Sequence, residues 1–429
     1  MKKLTEEQAH AITSINTWLS GDASFFTLSG YAGTGKTFLL QKLLEGNKSP
    51  VVFCAPTNKA TRVLREVLTK PDYKPLCRTI YSLLGLKLEA NGEVKELTEP
   101  EDPVDLTEYR FVVVDEASMI GQKLMIHIKE AAEEQGVRFL FLGDPAQLPP
   151  VGEAESPVWH ESEPANRASL TQIVRHGGPI LELVTKVRKA STRPAPSVDL
   201  PLMAQYYKEH LDWEGVERLS PRLFLEAINA AALKDVFTGK DGAKAVAWTN
   251  ACVDKLNGII RGAIFDSDFS LPKWVETDRV IFTAPAADVE KQLLACTDDE
   301  GTVMSVRETY HPLYGDFKVF DISITLDSGS AVNALVLHPE SEAKAEGHSQ
   351  RLAIEAKVNR KKWRDFWEFK ESFHSLRHGY ALTAHRAQGS TFDHAFVDTM
   401  DILKNRDRRE SFQCLYVACS RARKRLTMT

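Results

Sequence analysis

The sequence predicts an α/β protein: two strand–helix units in succession, interrupted by a polar β-hairpin and by a small all-β unit. Three observations carry that expectation. Apolar strand-type runs at Phe26–Gly30, Pro50–Ala55, Phe111–Val114 and Phe139–Gly143 alternate with helical spacing, and the alternation restarts at Lys244–Asn250. Leu86–Leu97 alternates around Asn91-Gly92, a strong hairpin signal. Between 275 and 340, Val280-Ile281-Phe282, Gly301–Val306, Phe317–Leu326 and Ala331–Leu337 are parted by turn residues at short intervals, as in an SH3-like barrel.

The first helix is expected over 5–20, where Ala9, Ile12, Ile15, Trp18 and Leu19 recur at helical spacing and Thr5 with Glu7-Gln8 forms a start signal. Next, Phe26–Gly30 runs into Gly30-Tyr31-Ala32-Gly33-Thr34-Gly35-Lys36-Thr37, and Phe38–Leu44 reads as a helix. This is the G-x-x-x-x-G-K-[ST] phosphate loop in its strand–loop–helix setting. Its glycines let successive N–H groups turn towards one anion, and the helix N-terminus adds partial positive charge. Lys36 would reach the β- and γ-phosphates, and Thr37 would place its hydroxyl on Mg²⁺.

Pro50–Ala55 leads through Pro56-Thr57-Asn58-Lys59 into a helix ending near Leu68, the kind of turn where ligands gather at the carboxyl edge of a parallel sheet, or a plain connection. Phe111–Val114 ends in Asp115-Glu116. Asp115 suits Mg²⁺ through its water shell, and Glu116 suits orienting or deprotonating the attacking water. Gln147, on the proline-stiffened turn after Phe139–Gly143, is a neutral amide suited to sensing a γ-phosphate. By themselves Gln8 and Arg175 read as surface residues.

Prolines at 194, 196 and 201 place a domain boundary near 180–200. Leu223–Phe237 and Ala251–Phe265 then read as helices flanking Lys244–Asn250. Residues 341–375 are helical, and Lys357, Arg360, Lys361, Lys362, Arg364, Lys370 and Arg377 are interleaved with Trp363, Phe366, Trp367, Phe369 and Phe373. That pattern can bind single strands, although an amphipathic helix burying its aromatics gives the same spacing.

Composition sets limits. With 429 residues, 43% hydrophobic and 26% charged, the chain has the composition of a globular protein of two to four domains. No apolar run approaches the ~20 residues of a membrane span, and Met1–Gln8 turns polar and acidic at once, unlike a secretory signal. Net charge is −5, so any nucleic-acid groove must be a local basic feature. Six cysteines, none in a C-x-x-C pair, suggest neither zinc nor disulfides and fit a reduced, cytoplasmic setting.

Taken in order, Gln8, Gly30–Thr37, Ala55–Thr61, Thr79–Leu84, Val113–Met119, Leu142–Pro150, Arg175, Val246–Asn257, Thr383–Gly389 and Tyr416–Arg421 resemble the motif series of superfamily 1 helicases, best the RecD-like superfamily 1B and within it the Dda-type helicases of bacteriophages. The resemblance implies two RecA-like parallel-sheet domains with ATP between them: 1–85 with 106–185, and 186–275 with 376–429. It implies a strand-separating pin at 86–105 and an SH3-like accessory domain with a helical extension at 276–375. Gln8 would recognise adenine. Gly30, Ala32, Gly33, Thr34, Gly35, Lys36, Thr37 and Gly389 would surround the nucleotide, with Thr37 and Asp115 on Mg²⁺. Glu116 would act on the water, Gln147 and Arg175 would contact the γ-phosphate, and Arg421 would be an arginine finger. Pro56, Thr57, Asn58, Thr79, Asn250, Thr383 and His385 would touch single-stranded DNA.

The activity so implied is ATP-dependent 5′-to-3′ translocation on single-stranded DNA and separation of tailed duplexes, in replication, recombination or repair. The partners implied are DNA and a single-strand-binding protein, with monomeric action, in the cytoplasm of the host if the gene is a phage's. The alternative is a DNA-stimulated ATPase that remodels protein–DNA complexes without processive unwinding. A small-molecule kinase needs neither Arg421 nor Thr383–Gly389. Three features depart from the family pattern. Ser420 stands where Thr is frequent, and Asn58 stands where some relatives carry His. The hairpin has no aromatic residue between Lys87 and Leu97, which leaves steric exclusion as its means of parting strands.

Overall fold

Val51–Ala55, Phe111–Val114, Phe139–Gly143 and Ala243–Ala247 are buried along their whole length. Strands without a polar face need cover on both sides, which only a helix-flanked parallel sheet provides. The computed structural model describes residues 4–45, 50–69, 74–86, 88–91, 94–97, 104–172, 178–192, 214–239, 242–266 and 271–429, and it builds two such sheets.

The first part of the chain runs α1 (Glu6–Leu19), β1 (Phe25–Gly30), α2 (Lys36–Leu44), β2 (Val51–Ala55), α3 (Asn58–Leu68), β3 (Leu76–Thr79), α4 (Ile80–Leu83), β4 (Leu88–Asn91), β5 (Val94–Leu97), β6 (Phe111–Val114), α5 (Gln122–Gln135), β7 (Phe139–Gly143), α6 (Val158–Glu161) and β8 (Arg167–Leu170). Its six-stranded sheet has the order β3-β2-β6-β7-β1-β8, parallel throughout. Separate apolar clusters cover its two faces: Leu39, Leu40, Phe53 and Leu64 on one, Val112, Ile128, Phe139 and Phe141 on the other. Each buried Phe or Leu contributes about 1.5–3 kcal/mol. The expected start of α1 is a full capping box: Thr5 Oγ1 accepts from the Gln8 N–H and Gln8 Oε1 accepts from the Thr5 N–H. The hairpin β4–β5 pairs Leu88 with Leu97 and Asn91 with Val94.

The second sheet, β18-β10-β19-β20-β9, is also parallel. Its elements are α7 (Pro179–Ser191), β9 (Gly215–Arg218), α8 (Pro221–Ala232), β10 (Ala243–Ala247) and α9 (Asn250–Ile264). After the accessory unit come β18 (Ala381–Thr383), α12 (Ala384–Ala387), β19 (Phe392–Val397), α13 (Thr399–Ile402), α14 (Arg408–Cys419) and β20 (Ala422–Met428). Ile180, Leu183, Val184 and Val187 of α7 join the apolar cluster of Leu415, Tyr416 and Leu426. The expected boundary at 186 therefore cuts through a helix whose apolar face packs chiefly with the elements of the second sheet, with Ala146 and Leu148 joining from the first. The proline-rich stretch that suggested it lies outside the described residues.

The accessory unit comprises β11 (Arg279–Phe282), β12 (Ala286–Ala287), β13 (Leu293–Ala295), β14 (Glu300–Tyr310), β15 (Lys318–Leu326), β16 (Ala331–Leu337), α10 (Pro339–Val358), α11 (Trp363–Glu371) and β17 (Leu376–His378). Its antiparallel sheet has the order β16-β15-β14-β11-β17. Because β17 pairs with β11, the unit extends past 375, the edge expected from the end of the charged helical stretch. Phe366 and Phe369 of α11 are buried, and Phe369 packs on Tyr314, Phe317 and Phe373. Core packing thus accounts for Phe366, Phe369 and Phe373 among the aromatic residues interleaved with cations there. β4 of the hairpin approaches α11.

Candidate nucleotide cleft and nucleic-acid interface

The phosphate loop leaves β1 and enters α2 through Gly33 (φ +82°) and Gly35 (φ +79°), left-handed positions that disfavour a side chain. A Cβ at Gly35 would also meet Gln8 Nε2 at 2.8 Å. Lys36 Nζ donates to the carbonyls of Gly30 at 2.8 Å and Tyr31 at 3.2 Å, so the ammonium lies back along its own loop. Thr34 is buried and donates to Tyr31 O. Thr37 is half-buried at the second position of α2.

Asp115 follows β6, the neighbour of β2 and β7. Burial, then Glu116, pushes its carboxyl up to about 6 against the opposing pull of the Glu116 N–H and Lys36. Glu116 is held at φ +52°, a strained value for a non-glycine residue. Gln147 is buried, and its Oε1 has no hydrogen-bond partner among the described residues. An orphaned acceptor on the turn after β7, the strand next to β6, suits a water aligned on a phosphate. A loop ammonium held only by carbonyls, a crowded carboxylate and this acceptor together fit a magnesium–nucleotide complex.

Gln8 does reach the phosphate loop, but both ends of its amide are engaged: Nε2 donates to Thr34 O at 2.9 Å, and Oε1 serves the α1 cap. The amide that sequence reasoning assigned to adenine fastens helix to loop here. Arg175 lies outside the described residues. Arg421 is buried within its own domain, where it donates to the carbonyls of Val417 and Ser390 and to Ser420 Oγ. The second domain reaches the cleft through other residues. Tyr416 Oη of α14 accepts from the Ala32 N–H at 3.0 Å and donates to Asp144 Oδ2 at 2.6 Å. Arg188 of α7 donates to Asp144 Oδ1 at 2.8 Å and stacks on the Tyr31 ring at 3.6 Å. Gln388 Nε2 lies 3.4 Å from Ser118 Oγ, and the neighbouring Gly389 (φ +76°) faces Glu116.

A second set of residues lies on the same carboxyl edge of both sheets. Thr57, Thr79, Thr249 and Thr383 each follow or end a strand and cap the next helix, the side chain accepting a first-turn N–H. Thr57 and Thr249 follow β2 and β10, and Thr79 and Thr383 end β3 and β18, neighbouring pairs at one end of each sheet. Pro56 and Asn58 flank Thr57, Asn58 being exposed. Asn250, Thr383 and His385 line one open cleft of about 620 Å³ with Arg377, one of the cations interleaved with aromatic residues in the sequence, and with Trp248 and Arg386, which the sequence does not single out. Arg377 donates to Asn250 Oδ1 and pairs with Asp254. Burial lowers the His385 pKa against the pull of Glu410, so the ring is neutral at neutral pH. Nothing local in the sequence marks Trp248 or Arg386 as cleft residues; only the pairing of β18 with β10 brings them together.

Residues 3–197 match the family described as AAA domain, and residues 378–429 match the UvrD-like helicase C-terminal domain. The chain is similar to the ATP-dependent DNA helicase dda of Enterobacteria phage T4, 26% identical over 456 residues that cover 98% of each protein. It is 37% identical over 186 residues to the ATP-dependent RecD2 DNA helicase of Deinococcus radiodurans, covering 42% of this chain and 23% of that protein. The crystal structure of Bacteroides Pif1 bound to ssDNA matches with a TM-score of 0.56 and 17% identity, covering 100% of this chain and 92% of that one. That likeness identifies both parallel sheets as RecA-like.

Proposed function

We propose that this chain, which belongs to the RecD-like superfamily 1B DNA helicases and is an ATP-hydrolysing enzyme of that kind, moves 5′ to 3′ along single-stranded DNA and parts tailed duplexes during replication, recombination or repair. One observation carries the reading. Asn250, Thr383 and His385, distant in sequence, line one cleft with Arg377 and Arg386 at the carboxyl edge of the second sheet, as Thr57 and Thr79 lie at the carboxyl edge of the first.

ATP binds with its phosphates on the N–H groups of Gly30–Thr37 and on Lys36, the ammonium exchanging two carbonyls for phosphate oxygens. Thr37 and Asp115 are the residues that would hold Mg²⁺, which when bound neutralises charge on the β- and γ-phosphates. Glu116 orients and deprotonates the attacking water, while Gln147 Oε1 accepts its second hydrogen. Arg175 and Arg421 are assigned to the γ-phosphate, and for Arg421 this requires release from Val417 and Ser390. Each turnover opens and closes the cleft between the sheets, so Thr57 and Thr79 move relative to Asn250 and Thr383 along the strand. The chain acts as a monomer in the cytoplasm, with a single-strand-binding protein as the candidate partner. No helix among the described residues is long and apolar enough to cross a membrane.

The test is unwinding of 5′- and 3′-tailed duplexes, with single-strand-stimulated ATP hydrolysis measured alongside and Lys36→Ala as the folded, inactive control. The 5′-tailed duplex should be separated and the 3′-tailed one left intact. Stimulated hydrolysis with neither substrate opened would instead establish a remodelling ATPase.

A further inference from the structure

Three consecutive carboxylates of the accessory unit, Asp298, Asp299 and Glu300, meet cations from both RecA-like domains. Asp299 Oδ1 accepts from Arg62 of α3 at 2.5 Å. Asp298 Oδ1 accepts from Arg386 of α12 at 2.7 Å. Glu300 takes Lys59 of α3 at 3.2 Å and Lys244 of β10 at 2.6 Å. The four pairs differ in depth. Lys244 is 1% exposed and also donates to the Gly379 carbonyl, so the Glu300 junction is a fixed anchor. The Arg62 and Arg386 side chains retain 25% and 28% of their exposure, and Arg386 lines the open cleft.

The cations are placed as strand contacts would be. Arg62 lies on α3 one turn beyond Thr57-Asn58, and Arg386 is three residues past Thr383, beside His385. A guanidinium reads a carboxylate and a phosphate by the same two-oxygen geometry. We propose that Arg62 and Arg386 are ligands for the phosphates of single-stranded DNA. Asp299 and Asp298 occupy the same guanidinium sites when the track is empty. This rests on the single-strand reading above and names two of its backbone contacts. Entry of the strand exchanges carboxylate for phosphate by rotation of two long side chains. The loop itself stays tied down through Glu300, and Asp298 (φ +66°) keeps the turn that presents the carboxylates. In the empty protein the arginines are neutralised, which accords with a net charge of −5 on a chain that must reject non-specific polyanions.

The experiment is fluorescence anisotropy of a dye-labelled oligothymidylate with the full chain across a sodium chloride series, without nucleotide. Asp298→Asn with Asp299→Asn removes the competing charge and keeps side-chain shape. It should tighten binding roughly 3- to 30-fold. Arg62→Gln and Arg386→Gln should each weaken binding and lower the salt slope by about 0.7, the loss of one single-strand phosphate contact. The slope is read within each protein, so it stands even where the double variant folds poorly. An unsubstituted protein that binds normally while the double variant binds equally or more weakly, or arginine variants with an unchanged slope, would overturn the exchange and leave the helicase reading intact. An unsubstituted protein that neither binds the oligomer nor hydrolyses ATP faster in its presence would overturn both.

Discussion

At Tyr416 a single hydroxyl joins three parts of the chain: it accepts from the phosphate-loop N–H of Ala32 and donates to Asp144, 384 and 272 residues away in sequence. Burial, then Asp144, raises the phenol pKa, so it stays a protonated donor. Tyr416→Phe removes both bonds without opening a cavity, leaving the partly buried Ala32 N–H without this acceptor and Asp144 Oδ2 with only the longer contact from Arg188 Nε at 3.4 Å, a loss of about 1–3 kcal/mol. Because the bonds cross the cleft, part of that loss should fall on the closed state in which hydrolysis occurs. We expect DNA-stimulated kcat to fall roughly tenfold, with KM for ATP changing by less. Stopped assays at saturating ATP read this directly, and an unchanged kcat would make the bond merely structural. Lys36, Thr37, Asp115 and Glu116 were legible in the sequence because phosphate-loop chemistry is written in adjacent residues. Tyr416 was quoted there only as part of a motif, since its partners exist only once two sheets face each other. Gln8 shows the converse: its side chain suits an adenine edge, but the capping box and Thr34 engage the same atoms.

The elements themselves follow from local pattern. Continuous apolar runs became parallel strands and short alternating runs became the antiparallel sheet, while threonines after strands became helix caps. What local pattern missed was allegiance, as with α7, which packs across a gap in sequence onto α14. The first turn of β14 carries the same lesson, for Glu300 is buried only because Lys59, Lys244 and Arg279 arrive from three other elements. Burial alone would raise its carboxyl, but Lys244, then Lys59 and Arg279, outweigh that and hold it at about 2. Lys244 is itself lowered, since burial costs its ammonium more than Glu300 returns. A carboxylate whose folded pKa lies below the ordinary 4.5 stabilises the protein above that pH. The stabilisation drains away as pH falls from about 4.5 towards 2. Glu300→Gln strands a buried ammonium and should cost about 3–5 kcal/mol near neutrality. Thermal melts of both proteins from pH 7 to pH 2.5, a range set by the Glu300 value, should show the gap narrowing in acid. A gap that stays constant would remove Glu300 as its cause.

For the molecule as a motor, the decisive arrangement is two sheets presenting one edge, with the nucleotide loop at their cleft and the capping threonines alongside. That arrangement was legible only through the order of motifs; no single segment states it. The hairpin β4–β5 stands apart from both sheets and approaches α11 of the accessory unit. Between Leu88 and Leu97 it offers no aromatic ring to stack on a base, so on our proposal that it parts strands it works by blocking one of them. A blocking wedge adds nothing to the thermodynamics of melting. The motor must then work against each base step, which costs about 1.4 kcal/mol on average and more where G·C pairs stack. Replacing residues 88–97 by a flexible glycine–serine linker should therefore leave single-strand-stimulated ATP hydrolysis within about twofold, because neither sheet edge is touched, and should abolish separation of a 5′-tailed duplex. With the hairpin in place, unwinding should slow markedly from A·T-rich to G·C-rich duplexes while ATP turnover on single strands stays the same. Equal unwinding rates on both would mean that the protein destabilises the duplex ahead of itself, a role these ten residues do not have the chemistry to perform.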